Sequence, residues 1–233
     1  DPVREKAEEN SEYILKLMCD AETKFDPKLV SAKFAVKKAL SLNGPVIIAD
    51  PQDNPGAGGT GDTTGILSEL IEAKVTDAVL AVLHDPETAK AAKKAGIDAD
   101  LAVSLGGRER LYSEPLNVDV TVMALSEGKF TCTGPVAGGS KADLGTMARL
   151  QIKNTGIQVV VGSNRCQNWD QEFFRVVDIE PAEHHIICVK SAVHFIADYK
   201  NITDKILFAV SPGANLCQLS KIPFSRIRPN LRF

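Results

Sequence analysis

The sequence lacks the features of several common functional classes. None of its apolar runs approaches the length of about 20 residues that a membrane-spanning helix requires, and no signal peptide opens the chain. Lys and Arg (27) do not outnumber Asp and Glu (30), so the chain offers no basic surface for a nucleic-acid backbone. These absences predict a cytoplasmic protein with neither a membrane nor a nucleic acid as its partner.

Metal-binding patterns are also scarce. The five cysteines include no C-x-x-C pair, which argues against both a zinc knuckle and a disulfide framework. The four histidines form no H-E-x-x-H pair, and the neighbours His184 and His185 would point to opposite faces of a strand. We therefore expect the chain alone to hold no metal and to need no cofactor of its own.

Apolar runs and helical patterns alternate through the first half of the chain. Strand-like runs at residues 45–49, 77–83 and 101–105 alternate with helical patterns at residues 62–74 and 86–95. This alternation predicts an α/β fold with a mostly parallel sheet and flanking helices.

Short strands with turn signals replace this pattern in the second half. They predict two antiparallel β-hairpins, one from residues 118–125 and 130–133 and one from residues 148–152 and 157–161. The remaining predicted elements are helices at residues 171–177 and 193–199 and strands at residues 185–190 and 206–210.

Two helices are expected before the first strand. Pro2 suits the first turn of a helix, and apolar residues recur at helical spacing from Tyr13 to Met18, which predicts an amphipathic helix. A second helix is predicted from Leu29 to a stop near Gly44.

The most distinctive segment, residues 50–64, contains a literal G-x-G-x-x-G match from Gly56 to Gly61. Asp85 follows the next predicted strand, where a ribose-binding acid would stand, so a nucleotide-binding α/β domain is one interpretation. The stretch between the strand and the first glycine is too long for the tight turn of that fingerprint, and the segment has no Lys or Arg to balance its carboxylates. Its chemistry therefore disfavours a phosphate.

The carboxylates of this loop point to a different partner. Asp62 is placed to cap the following helix by accepting its free backbone N–H groups. Asp50, Asp53 and Asn54 follow a parallel strand, at the edge where α/β proteins place their sites. We expect these residues to meet a cation, an amine or the hydrogen-bond donors of a partner domain.

Residues 49–64, ADPQDNPGAGGTGDTT, resemble the A-D-x-x-D-N-P-G-G-G-x-x-G-D-T block of the microcystinase-type (microcystin-degrading, MlrC-like) zinc metallopeptidase family. Further matches are LGGR at residues 105–108, GPVAGG at 134–139, VKSAVHFIAD at 189–198 and IPFSRIRP at 222–229. Three residues depart from this pattern, since Arg108, Ile196 and Ala57 stand where the family has Lys, Arg and Gly.

The resemblance implies a C-terminal α/β domain at residues 45–233, preceded at residues 1–44 by a helical linker from an N-terminal domain outside this chain. In the family the Asp and His ligands of zinc belong to that N-terminal domain, which would be the partner of this chain. The whole protein would be a zinc metallopeptidase or amide hydrolase with a peptide or amide substrate. This chain, as a fragment, is expected to be inactive alone.

His194 and Asp53 are the candidate catalytic residues under this resemblance. His194 could donate a proton or stabilise an oxyanion, or it could simply pack a loop with its hydrogen bonds satisfied. Lys190 could anchor a substrate carboxylate or amide oxygen, or else simply lie at the surface. The residues expected to line the shared cleft are Asp50, Asn54, Gly56, Gly58, Gly59, Gly61, Asp62, Thr63, Arg108, Lys190 and Ser191.

Two other functions stay open. A stand-alone ligand- or protein-binding domain without catalysis would keep this fold, and the changes at Arg108 and Ile196 favour it. The other is the nucleotide-binding domain considered above. Self-association into a homo-oligomer is also left open.

Overall fold

The computed structural model describes residues 2–25 and 28–228. The helices are α1 (Pro2–Asp20), α2 (Ala32–Leu40), α3 (Gly65–Glu72), α4 (Pro86–Ala95), α5 (Glu172–Arg175) and α6 (Ile196–Tyr199). The strands are β1 (Leu29–Ser31), β2 (Val46–Ala49), β3 (Ala78–His84), β4 (Asp100–Leu105), β5 (Leu116–Ser126), β6 (Lys129–Thr131), β7 (Lys141–Asp143), β8 (Met147–Ile152), β9 (Ile157–Gly162), β10 (Ile186–Val189) and β11 (Ile206–Val210).

A nine-stranded mixed sheet forms the centre of the fold, in the order β1-β11-β2-β10-β3-β9-β8-β5-β4. Neighbouring strands are parallel from β1 to β9 and antiparallel from β9 to β4. The predicted α/β class, with a mostly parallel sheet and added antiparallel strands, is thereby confirmed, and so is the β8–β9 hairpin.

Both faces of the central strands are buried. In β2, Val46 and Ile48 pack on the side of helices α2, α3 and α4, whereas Ile47 and Ala49 pack on the side of α5 and α6. Burial on both faces explains why these strands are continuous apolar runs rather than alternating patterns.

The first difference between the predicted and the observed elements concerns Leu29, which begins a strand and not a helix. Strand β1 pairs with β11, Leu29 lying opposite Phe208, and α2 begins only at Ala32 with the Ser31 hydroxyl accepting the Phe34 N–H at 3.2 Å. Pairing with a strand so distant in sequence leaves no periodic signal near Leu29, so the prediction of a helix there was wrong.

The other differences concern strand partners. The expected hairpin of residues 118–125 and 130–133 was wrong, because β6 pairs with β7 in a separate two-stranded sheet while β5 pairs with β4 and β8. Strand β4 also joins the sheet antiparallel to β5 at its edge and not as a parallel strand. The local turn signal between β5 and β6 therefore did not decide which strands pair.

Helix α1 has an apolar face that the described residues leave uncovered. None of the residues from Pro2 to Asp20 is buried, and the large side chains of Tyr13, Ile14, Leu17 and Met18 are exposed. Residues 29–40, by contrast, pack on the sheet through β1 and α2. The predicted boundary between residues 1–44 and 45–233 stays a prediction.

No helix among residues 2–25 and 28–228 combines the length and apolar character needed to cross a bilayer. Asp26 and Pro27, between the two predicted N-terminal helices, and Pro229, at the end of the last family-like stretch, lie outside the described residues.

Candidate functional site

Loops that follow the parallel strands meet at one edge of the sheet. Residues 50–64 follow β2, Asp85 follows β3, Lys190 follows β10 and Ser211 follows β11. They touch one another, since the Gln52 amide donates to the Ser211 carbonyl and the Lys190 ammonium reaches the first of these loops. The edge is therefore assembled from loops far apart in sequence, as parallel strands require.

The loop at residues 50–64 is mostly interior. Its carboxylate and amide residues are buried, and its exposed part is the turn of Gly56, Ala57 and Gly58. The buried polar members are Asp50, Gln52, Asp53, Asn54, Thr60, Asp62, Thr63 and Thr64. A ligand that approaches this loop would therefore contact the glycine turn, because the acidic side chains are buried beneath it.

Asp53 is the organising residue of the loop. Its Oδ1 accepts the Gly61 N–H at 2.8 Å and the Thr60 hydroxyl at 3.0 Å. Its Oδ2 accepts both the N–H and the hydroxyl of Thr63 at 2.8 Å and the Lys190 ammonium at 2.6 Å. A fully buried carboxylate with this many donors is stabilised as an anion and closes the loop on itself.

Lys190 lies in the interior, so the alternative that it simply lies at the surface was wrong. Its Nζ lies 2.6 Å from Asp53 Oδ2 and 3.4 Å from Asp50 Oδ2, and it donates to the Thr63 carbonyl at 2.8 Å. The side chain is 3% exposed. The ammonium is therefore already committed to internal partners.

The pKa shifts of this trio follow from burial and mutual attraction. Burial alone would lower the pKa of Lys190, but the adjacent Asp53 and Asp50 outweigh it and raise that pKa. Burial would likewise raise the pKa of Asp53, but Lys190 and Thr63 outweigh it and lower that pKa. For Asp50 burial dominates and raises the pKa, so the single cation is shared unequally and favours Asp53.

Asp62 does not cap the helix as predicted. Helix α3 begins later, after Thr64, whose side chain makes no capping bond. The Asp62 carboxylate accepts the Glu109 N–H at 3.1 Å and the Thr60 hydroxyl instead. It thereby joins the loop to the segment that follows β4.

Asp85 and Arg108 form an ion pair that is 0% exposed on the carboxylate side and 29% exposed on the guanidinium side. The Asp85 carboxylate caps helix α4 by accepting the Thr88 N–H at 3.0 Å, and it also accepts the Gly106 N–H at 2.9 Å. Arg108 holds both of its oxygens. Both carboxylate oxygens of Asp85 are thus engaged by internal donors, which contradicts its interpretation as a ribose-binding acid.

The glycine N–H groups of the loop are also occupied. Gly56 donates to Asn54 Oδ1 at 2.9 Å, Gly59 to the Asn54 carbonyl at 2.9 Å, and Gly61 to Asp53 Oδ1 at 2.8 Å. A phosphate cradle needs such N–H groups to point at the ligand. Their internal use supports the interpretation that this segment is no phosphate cradle.

Gly59 has no room for a side chain. A Cβ there would lie 2.6 Å from the Asp53 carbonyl carbon and 2.8 Å from the Asn54 nitrogen, both of which are backbone atoms. Ala57, by contrast, lies on the exposed part of the turn, where a Cβ is accommodated.

Gly59→Ala is expected to lower the free energy of unfolding by about 1–3 kcal/mol, because the backbone of the loop must move to admit the methyl group. Urea denaturation would measure the loss. Ala57→Ser, two residues away on the exposed turn, is the control and should change stability by less than about 0.5 kcal/mol. Equal stability of Gly59→Ala and the wild type would contradict the close packing described above.

His194 is exposed at the same edge, beside a polar residue that the sequence analysis missed. The Gln167 Nε2 lies 3.1 Å from His194 Nδ1 and donates to Ser191 Oγ at 2.8 Å. Gln167 and Ser191 are buried. Gln167 lies in an irregular segment between β9 and α5, where no motif or spacing singles it out.

Two of the other histidines, His184 and His185, are neighbours in sequence at a different part of the fold. His184 and His185 engage different partners, Asp77 Oδ1 at 2.7 Å and the Leu42 carbonyl at 2.9 Å. They line a shallow cavity of about 330 Å³ at the opposite edge of the sheet. Within residues 2–25 and 28–228, no three His, Cys, Asp or Glu side chains are grouped so that they could hold a metal ion.

Comparisons with known proteins agree with this architecture. The sequence profile of the family described as MlrC C-terminus matches residues 48–226. Microcystinase C from a Sphingomonas species is 26% identical over 168 residues, which cover 72% of this chain and 32% of that protein. The chain therefore spans about a third of the length of this curated relative.

A solved structure supports the fold independently. A candidate metallopeptidase from Mesorhizobium sp. BNC1 superimposes with a TM-score of 0.78 at 24% identity, over 92% of this chain and 43% of the other. The superposition establishes a common fold, and at 24% identity it establishes nothing further.

Proposed function

Because the chain belongs to the MlrC C-terminus family, we propose that it is the C-terminal domain of a larger metal-dependent hydrolase that cleaves a peptide or amide bond. The lengths of its relatives support a larger protein, since the chain spans 32% of one relative and 43% of the other. The loop of Asp53, Asn54, Pro55 and Gly56 would form one wall of a cleft shared with an N-terminal domain.

A metal centre must come from outside the described residues in this proposal. Those residues offer no group of three metal ligands, so zinc, the metal that the family resemblance implies, does not fit here. The N-terminal domain would hold it. The residues of this chain would act on the substrate by hydrogen bonds and shape, and no step through the metal is assigned to them.

The observation that carries the proposal is the exposed His194, which Gln167 links to the exposed glycine turn at the carboxyl edge of the sheet. An imidazole N–H at such a place can donate to the carbonyl oxygen of an amide. Asp53 and Lys190 would act from below, by holding the loop in shape, and would therefore be positioning residues and not groups that touch the substrate.

The apolar face of α1 supports a domain partner. Tyr13, Ile14, Leu17 and Met18 form an exposed apolar stripe that would be stabilised by burial against another surface. In this proposal the N-terminal domain covers it. A cytoplasmic location of the whole protein stays a prediction.

A binding domain without catalysis is the second candidate. The observation that favours it is the internal use of Asp53, Asp85 and Lys190, each of which is buried with its polar atoms engaged. Such a domain would bind a peptide or a protein at the same edge but leave it intact.

Hydrolysis by the longer protein tests the proposal. We expect the full-length protein to hydrolyse a peptide library, to lose this activity completely on chelation and to regain it with Zn²⁺. The 233-residue chain alone should hold no stoichiometric metal by elemental analysis and should leave the library intact. Stoichiometric zinc and chelator-sensitive hydrolysis in the isolated chain would refute this division of labour, and peptide binding without hydrolysis by the full-length protein would favour the binding domain.

A further inference from the structure

Gln167 connects three parts of the sheet edge through one side-chain amide. Its Nε2 donates to Ser191 Oγ at 2.8 Å and lies 3.1 Å from His194 Nδ1. Its Oε1 occupies the space beside Gly56, where a Cβ would lie only 1.9 Å away. The residue is 5% exposed, so the amide is held in place by its surroundings.

This contact, with the amide nitrogen facing the ring, bears on which nitrogen of His194 carries the proton. The amide nitrogen of glutamine carries two hydrogens and accepts no hydrogen bond, so His194 Nδ1 must be the acceptor. In a neutral imidazole the proton then resides on Nε2. The exposed side of the ring would therefore present an N–H donor.

We propose that Gln167 is the positioning residue of the site, and that it fixes His194 as the Nε2–H tautomer facing the amide oxygen of a peptide substrate. The inference rests on the proposed function for its substrate and on the hydrogen bonds above for its geometry. Ser191 Oγ accepts a hydrogen bond from the amide nitrogen, and Gly56, which has no side chain, leaves room for the amide oxygen. Gly56 has this role because any larger residue would displace the Gln167 amide.

Two other histidines of the chain provide internal references. His184 Nδ1 lies 2.7 Å from a carboxylate oxygen of Asp77, which requires a proton on Nδ1. His185 Nε2 lies 2.9 Å from the Leu42 carbonyl, which requires a proton on Nε2. Both contacts lie at the opposite edge of the sheet, so changes at Gln167 should leave them unaltered.

Nitrogen-15 NMR of the histidine- and glutamine-labelled 233-residue chain tests the assignment, with His194→Gln identifying the signal. In the wild type we expect His194 protonated at Nε2 and a scalar coupling across the hydrogen bond between Gln167 Nε2 and His194 Nδ1. Gln167→Glu should invert the tautomer to Nδ1–H, because a carboxylate only accepts. A wild-type His194 protonated at Nδ1, or an unchanged tautomer in folded Gln167→Glu, would overturn the proposal.

Gly56→Ala provides the second variant if Gln167→Glu fails to fold. Its methyl group should push the Gln167 amide away and abolish the coupling, whereas Ala57→Ser on the same turn should retain it. Retention of the coupling in Gly56→Ala would contradict the proposal. These spectra are independent of hydrolysis, so the expected tautomer in a protein that cleaves no peptide would refute the proposed function and leave the assignment of Gln167 intact.

Discussion

Lys190→Met should lower the free energy of unfolding by about 3–5 kcal/mol, the largest stability effect that we expect of a single substitution in this chain. Lys190 is the cation that lies within 3.4 Å of both buried carboxylates, Asp50 and Asp53. Without it, Asp53 would stay buried as an uncompensated anion or would have to bind a proton. Urea denaturation monitored by circular dichroism at neutral pH would measure the change.

The pH dependence of this loss identifies its cause. In the variant, burial should raise the pKa of Asp53 above its unfolded value, because the two largest opposing effects, both from Lys190, are gone and only the Thr63 hydrogen bonds remain. Protonation then stabilises the folded variant at acidic pH, and that stabilisation is lost as the pH rises through the folded pKa. The deficit relative to the wild type should therefore be smaller at about pH 4.5 than at about pH 8.

Two further variants serve as controls. Lys200→Met removes an exposed lysine and should change stability by less than about 0.5 kcal/mol. Asp53→Asn in the Lys190→Met background removes the unpaired charge and should recover part of the loss. A Lys190→Met deficit no larger than that of Lys200→Met would rule out the ion-pair role assigned to Lys190.

His194→Ala should lower kcat/KM of the full-length hydrolase about 100- to 1,000-fold, the range reported for removing one donor to a developing oxyanion. The loss should appear in kcat more than in KM, because the donor is most valuable in the transition state. Metal content and unfolding free energy should stay at the wild-type level, since His194 is exposed and contributes no metal ligand in our proposal.

His184→Gln is the matched control, because His184 lies at the opposite edge of the sheet. It should leave kcat/KM within a factor of about two, a change of less than about 0.5 kcal/mol. His194→Asn keeps an N–H donor and should recover part of the activity. Full activity in His194→Ala would remove His194 from the site.

Much of the fold was predictable because its signals are local. The strands β2, β3 and β10 are buried on both faces of the sheet, and a strand buried on both faces needs an apolar side chain at every consecutive position. The C-terminal boundary of α4 was likewise marked by Gly96, which has a positive φ of 89°. The pairing of Leu29 with the distant Phe208 gave no such local signal.

The site was less predictable than the fold. Sequence motifs identified Asp53, Lys190 and His194 as residues of one edge, but they gave no sign that two of the three are buried against each other. Gln167 was missed entirely, since its importance depends on contacts with Ser191, His194 and Gly56, which are far from it in sequence. Such relations exist only once the chain has folded.

The order of strands also bears on how the chain acquires its structure during synthesis. Strand β10 lies between β2 and β3, and β11 lies between β1 and β2, so the first three strands of the chain are not neighbours. They cannot complete their backbone hydrogen bonds until the segment that ends at Val210 has left the ribosome. Folding of the central sheet is therefore a late event with many non-local contacts, which favours slow kinetics and a need for protection of the apolar strands β2 and β3 in the nascent chain.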